Sequence, residues 1–446
     1  MSSFEQSGAS NSEEHLLSTD QSEAIECAIH QLGLESLKPK QRDAIESYIS
    51  GNDTFVVLPT GYGKSVVYAA LPIIFDKLRG REGCIVVVIS PLTALMMDQK
   101  TNLSLKGLTV EYYGEGHEDC LDVIMKGKVQ LVFLSPESLL RNERIRRMLL
   151  SSVYTNNLAG FVVDEAHCVR MWGDNFRKAF AEIGTVRSLI NKDINILALT
   201  ATASSETAKI IFERLSMVDV NIIGLAPERP NIKYCVVPMP TMTELCSTLA
   251  LELIEHRANT PKTVVFCQTL LQCSEFNAKM KRKLGINLTE PPGAPCVIPF
   301  RMISLFTSAS RAVIRAEVLK EFCREETNLR LIIATTAFGL GVDCRDITRV
   351  INWGVPNSLE ELVQETGRAD RNGSQSEAIL YYGKGAHQHI CNQVKQYGEN
   401  KTNCRRTLLF KNFLFSDLDK QSIVACKCCD LCTPLCVCVD CSRNIS

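Results

Sequence analysis

Short, nearly continuous apolar runs recur along the chain, and segments with apolar positions three or four apart follow them. The runs in the first half are Phe55–Leu58, Cys84–Ile89, Val129–Leu134, Leu158–Val163 and Ile194–Leu199. Those in the second half are Thr263–Cys267, Leu329–Ala334, Val350–Asn352 and Ala378–Tyr382. Val67, Ala70, Leu71, Ile74 and Leu78 illustrate the helical spacing between them. Strands without alternation, separated by helices, predict parallel sheets covered on both faces. Ahead of the first run, Ala24, Ile25, Ala28, Ile29 and Leu32 predict a helix ending near Gly33. A second helix starts at Pro39 and stops at Gly51. Residues 227–240 read as a proline-rich linker and residues 290–299 as a loop. The pattern turns helical after His387 and then cysteine-dense. The expected organisation is a disordered tail at 1–20, an α/β domain at 21–226, a second at 227–387, and a small cysteine module at 388–446.

Composition changes this picture in two ways. A formal net charge of −1 over 446 residues leaves no bulk basic field, so any nucleic-acid surface must concentrate its charge locally. Many of the 20 cysteines stand singly in apolar runs, as Cys84 and Cys267 do, which suits small hydrophobic thiols in a reducing compartment. No apolar stretch is long enough to span a membrane. The Ser/Glu-rich, arginine-poor first residues fit neither a secretory signal nor a mitochondrial presequence.

The richest stretch is Thr54–Ser65, TFVVLPTGYGKS. An apolar strand, the turn Pro59-Thr60-Gly61-Tyr62-Gly63, then Lys64-Ser65 opening a helix make a phosphate-cradling loop. Backbone N–H groups and the helix N-terminus hold phosphate oxygens, Lys64 reaches the β/γ-phosphates, and Ser65 ligates magnesium. Leu58 stands where the longer pattern has its first glycine, so the match is to the shorter P-T-G-x-G-K-S form. Asp164-Glu165-Ala166-His167 directly follows another strand. Asp164 suits magnesium and Glu165 suits orienting and deprotonating the attacking water in phosphoryl transfer. Gly63, Asp164 and Thr200 all sit just past strand ends, where such sheets gather their chemistry.

These motifs, with Leu37–Gln41, Ser90-Pro91-Leu92, Trp172-Gly173, Phe176-Arg177, Thr200–Ala203, Arg229–Ile232, Ala334–Asp343 and Gln364–Gly373, make the chain resemble the RecQ family of DNA helicases, in helicase superfamily 2. The resemblance implies two RecA-like domains of the P-loop NTPase type and a helical zinc-binding module. It implies ATP-dependent 3′-to-5′ unwinding of duplex DNA during repair and recombination, with ATP, Mg²⁺ and Zn²⁺ as cofactors. Single-stranded and duplex DNA would be the partners, the nucleus the compartment, and no membrane would be involved. Gln41 would read adenine. Arg368 and Arg371, three apart on a helix and so sharing a face, would sense the γ-phosphate, with Arg371 as arginine finger and Gln364 coupling it to domain closure. Trp172, Phe176 and Arg177 would form the aromatic-rich loop that contacts DNA. Outside the family context, that Trp-x-x-x-Phe reads as core packing; for Arg368 and Arg371 the bland alternative, set below the functional one, is a solvated helix face.

Cys404, Cys426, Cys429 and Cys432 would ligate zinc, the first followed by arginine as in the family. Cys428, Cys436, Cys438 and Cys441 crowd this set, leaving open a shifted register or a second site. Several positions depart from the family. Leu34 replaces a stacking aromatic and Lys38 an arginine, which weakens the expected hold on nucleotide. Leu305–Ser308 replaces a Tyr-His-Ala-Gly stretch, and Asp370 replaces a glycine between the two arginines. With no winged-helix sequence after the cysteines, weaker strand separation is expected. A DNA-stimulated translocase, a degenerate DNA-binding paralogue and an RNA helicase are the rival readings.

Overall fold

The computed structural model describes residues 17–91, 93–114, 117–168, 187, 194–339, 344, 346–369, 373–383, 391–416 and 423–438. The first sheet has seven strands: β1 (Thr54–Val57), β2 (Ile85–Ile89), β3 (Val110–Tyr113), β4 (Leu131–Leu134), β5 (Leu158–Val163), β6 (Ile196–Thr200) and β7 (Asn221–Gly224). Their order is β3-β4-β2-β5-β6-β1-β7. The pairings β3–β4, β4–β2, β2–β5 and β5–β6 are parallel. Every residue of β1, β2, β4, β5 and β6 is buried, which is why these strands are apolar except for Thr54 and Thr200 at the ends of β1 and β6.

The second sheet comprises β8 (Ile232–Pro238), β9 (Thr263–Cys267), β10 (Ile303–Phe306), β11 (Leu331–Ala334), β12 (Arg349–Trp353) and β13 (Ser376–Tyr382). It runs β10-β11-β9-β12-β13-β8, parallel at every pairing. By compactness the chain forms two units, Met1–Val56 with Gly63–Leu199 and Phe212–Ile223, and Val57–Tyr62 with Thr200–Ile211 and Gly224–Ser446.

Three expectations need correction. Residues 232–238, read as linker, are the edge strand β8, paired with β13 from Ile232↔Ser376 to Pro238↔Tyr382. Proline lacks a donor N–H, and a strand at the edge and at its own end tolerates that. Helix Thr19–Gln31 begins inside the expected tail, held by Ser18 at its N-cap and a reciprocal bond from Gln21. The remainder of that tail, residues 1–16, lies outside the described residues. The general expectation of free thiols outside the C-terminal cluster does not extend to Cys323 and Cys344, which are joined as a disulfide with their Cα atoms 4.7 Å apart.

The cysteine segment shares the core of the second unit. Leu409, Phe410, Phe413, Cys428 and Cys429 pack in one buried cluster with Ile232, Tyr234 and Val350. Arg405 makes a bidentate pair with Asp430 (2.9 and 3.0 Å) and donates to the Tyr397 carbonyl at 2.9 Å. Arg406 donates to the carbonyls of Arg229 (3.1 Å) and Ile232 (2.6 Å). Cys429 bridges Tyr234 of β8 in parallel fashion, and the Asp430 N–H donates to the Tyr234 carbonyl at 3.1 Å. Two buried guanidinium groups thus tie the cysteine segment and its preceding helix to the edge of the sheet.

Candidate nucleotide site and cysteine clusters

The phosphate loop is an open stretch between buried flanks. Phe55–Leu58 and Val67–Ile74 are buried, whereas residues 59–66 retain solvent exposure. Gly61 (φ 85°) and Gly63 (φ 92°) occupy left-handed backbone, which a side chain would strain. The Tyr62 N–H closes a turn onto the Pro59 carbonyl at 3.1 Å, and helix Lys64–Arg79 starts at once, with Lys64 and Ser65 in its first turn. A helix start leaves N–H groups without intrahelical partners, the physical basis of an anion cradle.

Gln41 is fixed against this loop. It is 4% exposed, accepts from the Lys38 N–H at 2.8 Å and donates to the Gly63 carbonyl at 3.0 Å. The amide expected to read adenine therefore also holds the loop's second glycine in place. A Cβ added at Gly63 would lie 2.7 Å from Gln41 Nε2. Lys38 is exposed and Leu34 partly so, on the turn that leads into helix Pro39–Ile49.

Asp164 follows β5, which runs beside β2. Its N–H donates to the Ile89 carbonyl at 2.9 Å, and its Oδ1 accepts from the Glu165 N–H at 2.9 Å. Burial, reinforced by the Glu165 charge, pushes the Asp164 carboxyl up to about 7, against the pull of the Lys64 ammonium. Glu165 adopts left-handed backbone (φ 49°), rare for a residue with a side chain, and its Oε2 lies 3.3 Å from His167 Nδ1. The backbone turn thus separates two adjacent carboxylates, one in Lys64's field and one against His167. Tyr68, fully buried on the phosphate-loop helix, donates to Gln99 Oε1 at 3.2 Å. The arrangement suits binding a metal-chelated polyphosphate and activating water beside it.

In the second unit, helix Leu359–Thr366 carries Gln364 and ends before Arg368. Arg368 therefore does not lie on that helix, contrary to expectation, and the face it was expected to share with Arg371 involves a residue outside the described ones. Gly367 closes the helix, and turn bonds follow from the Arg368 N–H to Glu365 and the Ala369 N–H to Thr366. Arg368 is 3% exposed, so it is no solvated face. Arg371 and Asp370 lie outside the described residues, as do Trp172, Phe176 and Arg177.

The cysteines form two groups. The sulfurs of Cys404, Cys428, Cys429 and Cys432 all lie within 4.8 Å of one another, a set that could hold a metal ion. Cys404 and Cys428 are 3.5 Å apart, and hydrogen bonding from Cys428 and Cys429 pushes the Cys404 thiol down. Cys426, expected in this set, stands instead with Cys436 and Cys438. Two positions along the short helix Ala425–Cys428 rotate a side chain by about 200°, so Cys426 and Cys428 face opposite ways.

Two protein-family patterns match the chain: the DEAD/DEAH box helicase over residues 38–210 and the helicase conserved C-terminal domain over residues 243–373. The chain is 30% identical over 439 residues to the ATP-dependent DNA helicase hus2/rqh1 of Schizosaccharomyces pombe, covering 92% of this chain and 31% of that protein. It is 26% identical over 428 residues to the ATP-dependent DNA helicase RecQ of Haemophilus influenzae, covering 90% and 62%. The chain belongs to the RecQ family of superfamily 2 helicases. This RecQ-family chain spans less than a third of the fission-yeast relative and under two thirds of the bacterial one. Among solved structures, the helicase MrfA bound to DNA superposes with a TM-score of 0.64 at 17% identity, covering 82% of this chain and 52% of that one. The DEAD-box helicase Mss116 bound to single-stranded RNA gives 0.63 at 17%, covering 81% and 73%. At that identity they show the fold, two RecA-like parallel-sheet domains. Among the described residues, no helix is long and apolar enough to cross a membrane.

Proposed function

We propose that this chain hydrolyses ATP and uses the cycle to move 3′ to 5′ along one DNA strand, parting a duplex in repair and recombination within the nucleus. The observation that supports it best is Asp164: a buried carboxyl at a strand end, poised near neutrality within the field of the phosphate-loop lysine. Lys64 and the loop N–H groups hold the phosphates, and Gln41 meets the base while keeping Gly63 in position. Ser65 and Asp164 would hold magnesium, which neutralises charge developing on the phosphates. Glu165, set apart by its left-handed backbone, takes the proton of the attacking water. Gln364, Arg368 and Arg371 sense the γ-phosphate, and Trp172, Phe176 and Arg177 contact DNA. Zinc would sit on Cys404, Cys428, Cys429 and Cys432, a register shifted by Cys428 in place of Cys426. Four mutually close thiols fit a tetrahedral ion, and such an ion would hold this short segment folded.

A second reading, translocation with little strand separation, draws on the segment that leaves β10. There Thr307, where the family pattern carries its DNA-contacting stretch, is buried with its hydroxyl 3.4 Å from that of Ser310. The test is ATP turnover with and without single-stranded DNA, for wild type and Lys64→Ala, with release of a 3′-tailed duplex read in the same samples. DNA-stimulated turnover lost in Lys64→Ala, with strand release, is the expected result. Turnover without release favours translocation, and no turnover in folded protein overturns both.

A further inference from the structure

Cys426, Cys436 and Cys438 lie outside the four-thiol set just described, yet their sulfurs converge within 4.8 Å of one another. Local backbone explains the convergence. Cys436 is extended (φ −79°, ψ 127°), so residues two apart turn to one side. Cys436 and Cys438 therefore face together, while Val437 between them is 89% exposed. The short 3₁₀ turn Thr433–Leu435 carries the chain from Cys432, in the first set, to Cys436, in the second. Cys426 joins from the opposite face of the helix that gives Cys428 to the first set. The spacing also suits a shared ion rather than a sulfur–sulfur bond. Zinc–sulfur bonds of about 2.3 Å in a tetrahedron place the sulfurs roughly 3.8 Å apart. Cys426 Sγ and Cys438 Sγ are 3.8 Å apart, whereas a disulfide needs about 2.05 Å.

We propose that Cys426, Cys436 and Cys438 form a second thiolate site for a zinc ion, with these three ligands supplied by the described residues. As each sulfur–metal bond forms, the thiol gives its proton to solvent, so loading releases protons. Three thiolates select a soft or borderline d¹⁰ ion over magnesium or calcium. The two sets interleave along the chain, so one short segment would be braced at both ends.

The experiment titrates Zn²⁺ into the metal-stripped, reduced full chain and counts bound metal per chain, for wild type and for Cys436→Ser/Cys438→Ser. Wild type is expected to hold two ions and the double variant one, with the ATP turnover of the variant unchanged. In parallel, alkylation of wild type is read by peptide mass. Added Zn²⁺ is expected to slow labelling of Cys436 and Cys438 at least tenfold, a readout that does not depend on the variant's folding. One ion in wild type with labelling of these two cysteines unaffected by zinc overturns the proposal. So does a disulfide among the three in reduced protein.

Discussion

Each sheet has a pair of carboxyl side chains beside it, both buried in one pair and one buried beside a partly buried neighbour in the other, and the two pairs are held in opposite ways. In the first unit, Asp164 and Glu165 are adjacent, the second in left-handed backbone, and Lys64 offsets what burial does to Asp164. In the second, Glu361 and Glu365 sit one turn apart on helix Leu359–Thr366, each 3% exposed. Glu361 accepts from the Asn357 N–H (2.8 Å) and Nδ2 (3.0 Å), and Glu365 accepts from Asn352 Nδ2. Burial, then the Glu361 charge, raises the Glu365 carboxyl well above the ordinary range, against the pull of Asn352 and, least, of Arg368. A carboxyl met by a lysine is poised to change charge near neutrality. In the second pair burial outweighs the amide donors, and both carboxyls are held above the ordinary carboxylate range with no lysine to oppose it. Burial and acidity are common to both; the partner decides the use.

Four changes would break or sharpen this contrast. Removing the phosphate-loop charge has the largest expected effect: Lys64→Ala lowers ATP turnover by about 10²–10³-fold, the scale of losing one preorganised charge contact, in steady-state assays. Next is a pH effect on the nucleotide-free, metal-free protein. Unfolded, Asp164 titrates near 3.8; folded, at about 7. Below the first value both states hold the proton and nothing is lost. Between the two, only the unfolded state ionises, so stability falls as pH rises, by on the order of 4 kcal/mol in all. Denaturant melts from pH 4 to 8 should show this slope in wild type and not in Asp164→Asn. In the second unit, Glu365→Ala strands the Asn352 amide and costs about 1–3 kcal/mol, whereas Glu365→Gln, which imitates the neutral acid, stays within about 0.5 kcal/mol at pH 7. Equal losses in both variants would mean that Glu365 is charged. The smallest is Gly63→Ala, about 1–2 kcal/mol from left-handed backbone and crowding of Gln41, read by thermal melting.

The strands that the apolar pattern revealed and those it missed divide by position. The runs at β1, β2, β4, β5, β6, β9, β11 and β12 were legible because interior strands of a parallel sheet are buried on both faces; β13, buried at alternate positions, was legible from its apolar and aromatic residues. The missed strands are β3, β7, β8 and β10, the outermost strand on each side of both sheets. Asn221–Gly224 is mostly exposed, and β8 ends in exposed residues and a proline, so neither needs a continuous apolar run. For the candidate site, Lys64, Ser65 and Asp164 were legible from local motifs, because loop, charge and strand end are adjacent in sequence. The contact of Gln41 with Gly63 was not, since it joins segments 22 residues apart through backbone. Nor was the sorting of the cysteines, which depends on a helix rotation rather than on spacing. The end of the helix before Arg368 was obscured because Gly367 can continue a helix as readily as close it.

The parallel bridge from Cys429 to Tyr234 has a further consequence for solubility. Strand β8 is a sheet margin, and an uncovered margin offers a row of main-chain donors and acceptors to any strand of another molecule. The cysteine segment occupies part of that row, and the Arg405–Asp430 pair clasps it there. A lesion that unclasps it, by chelation, oxidation of the thiols or loss of Asp430, would bare a template for intermolecular strand addition. Self-association would then precede any loss of the core, and precipitation would be the first sign that the segment had come away.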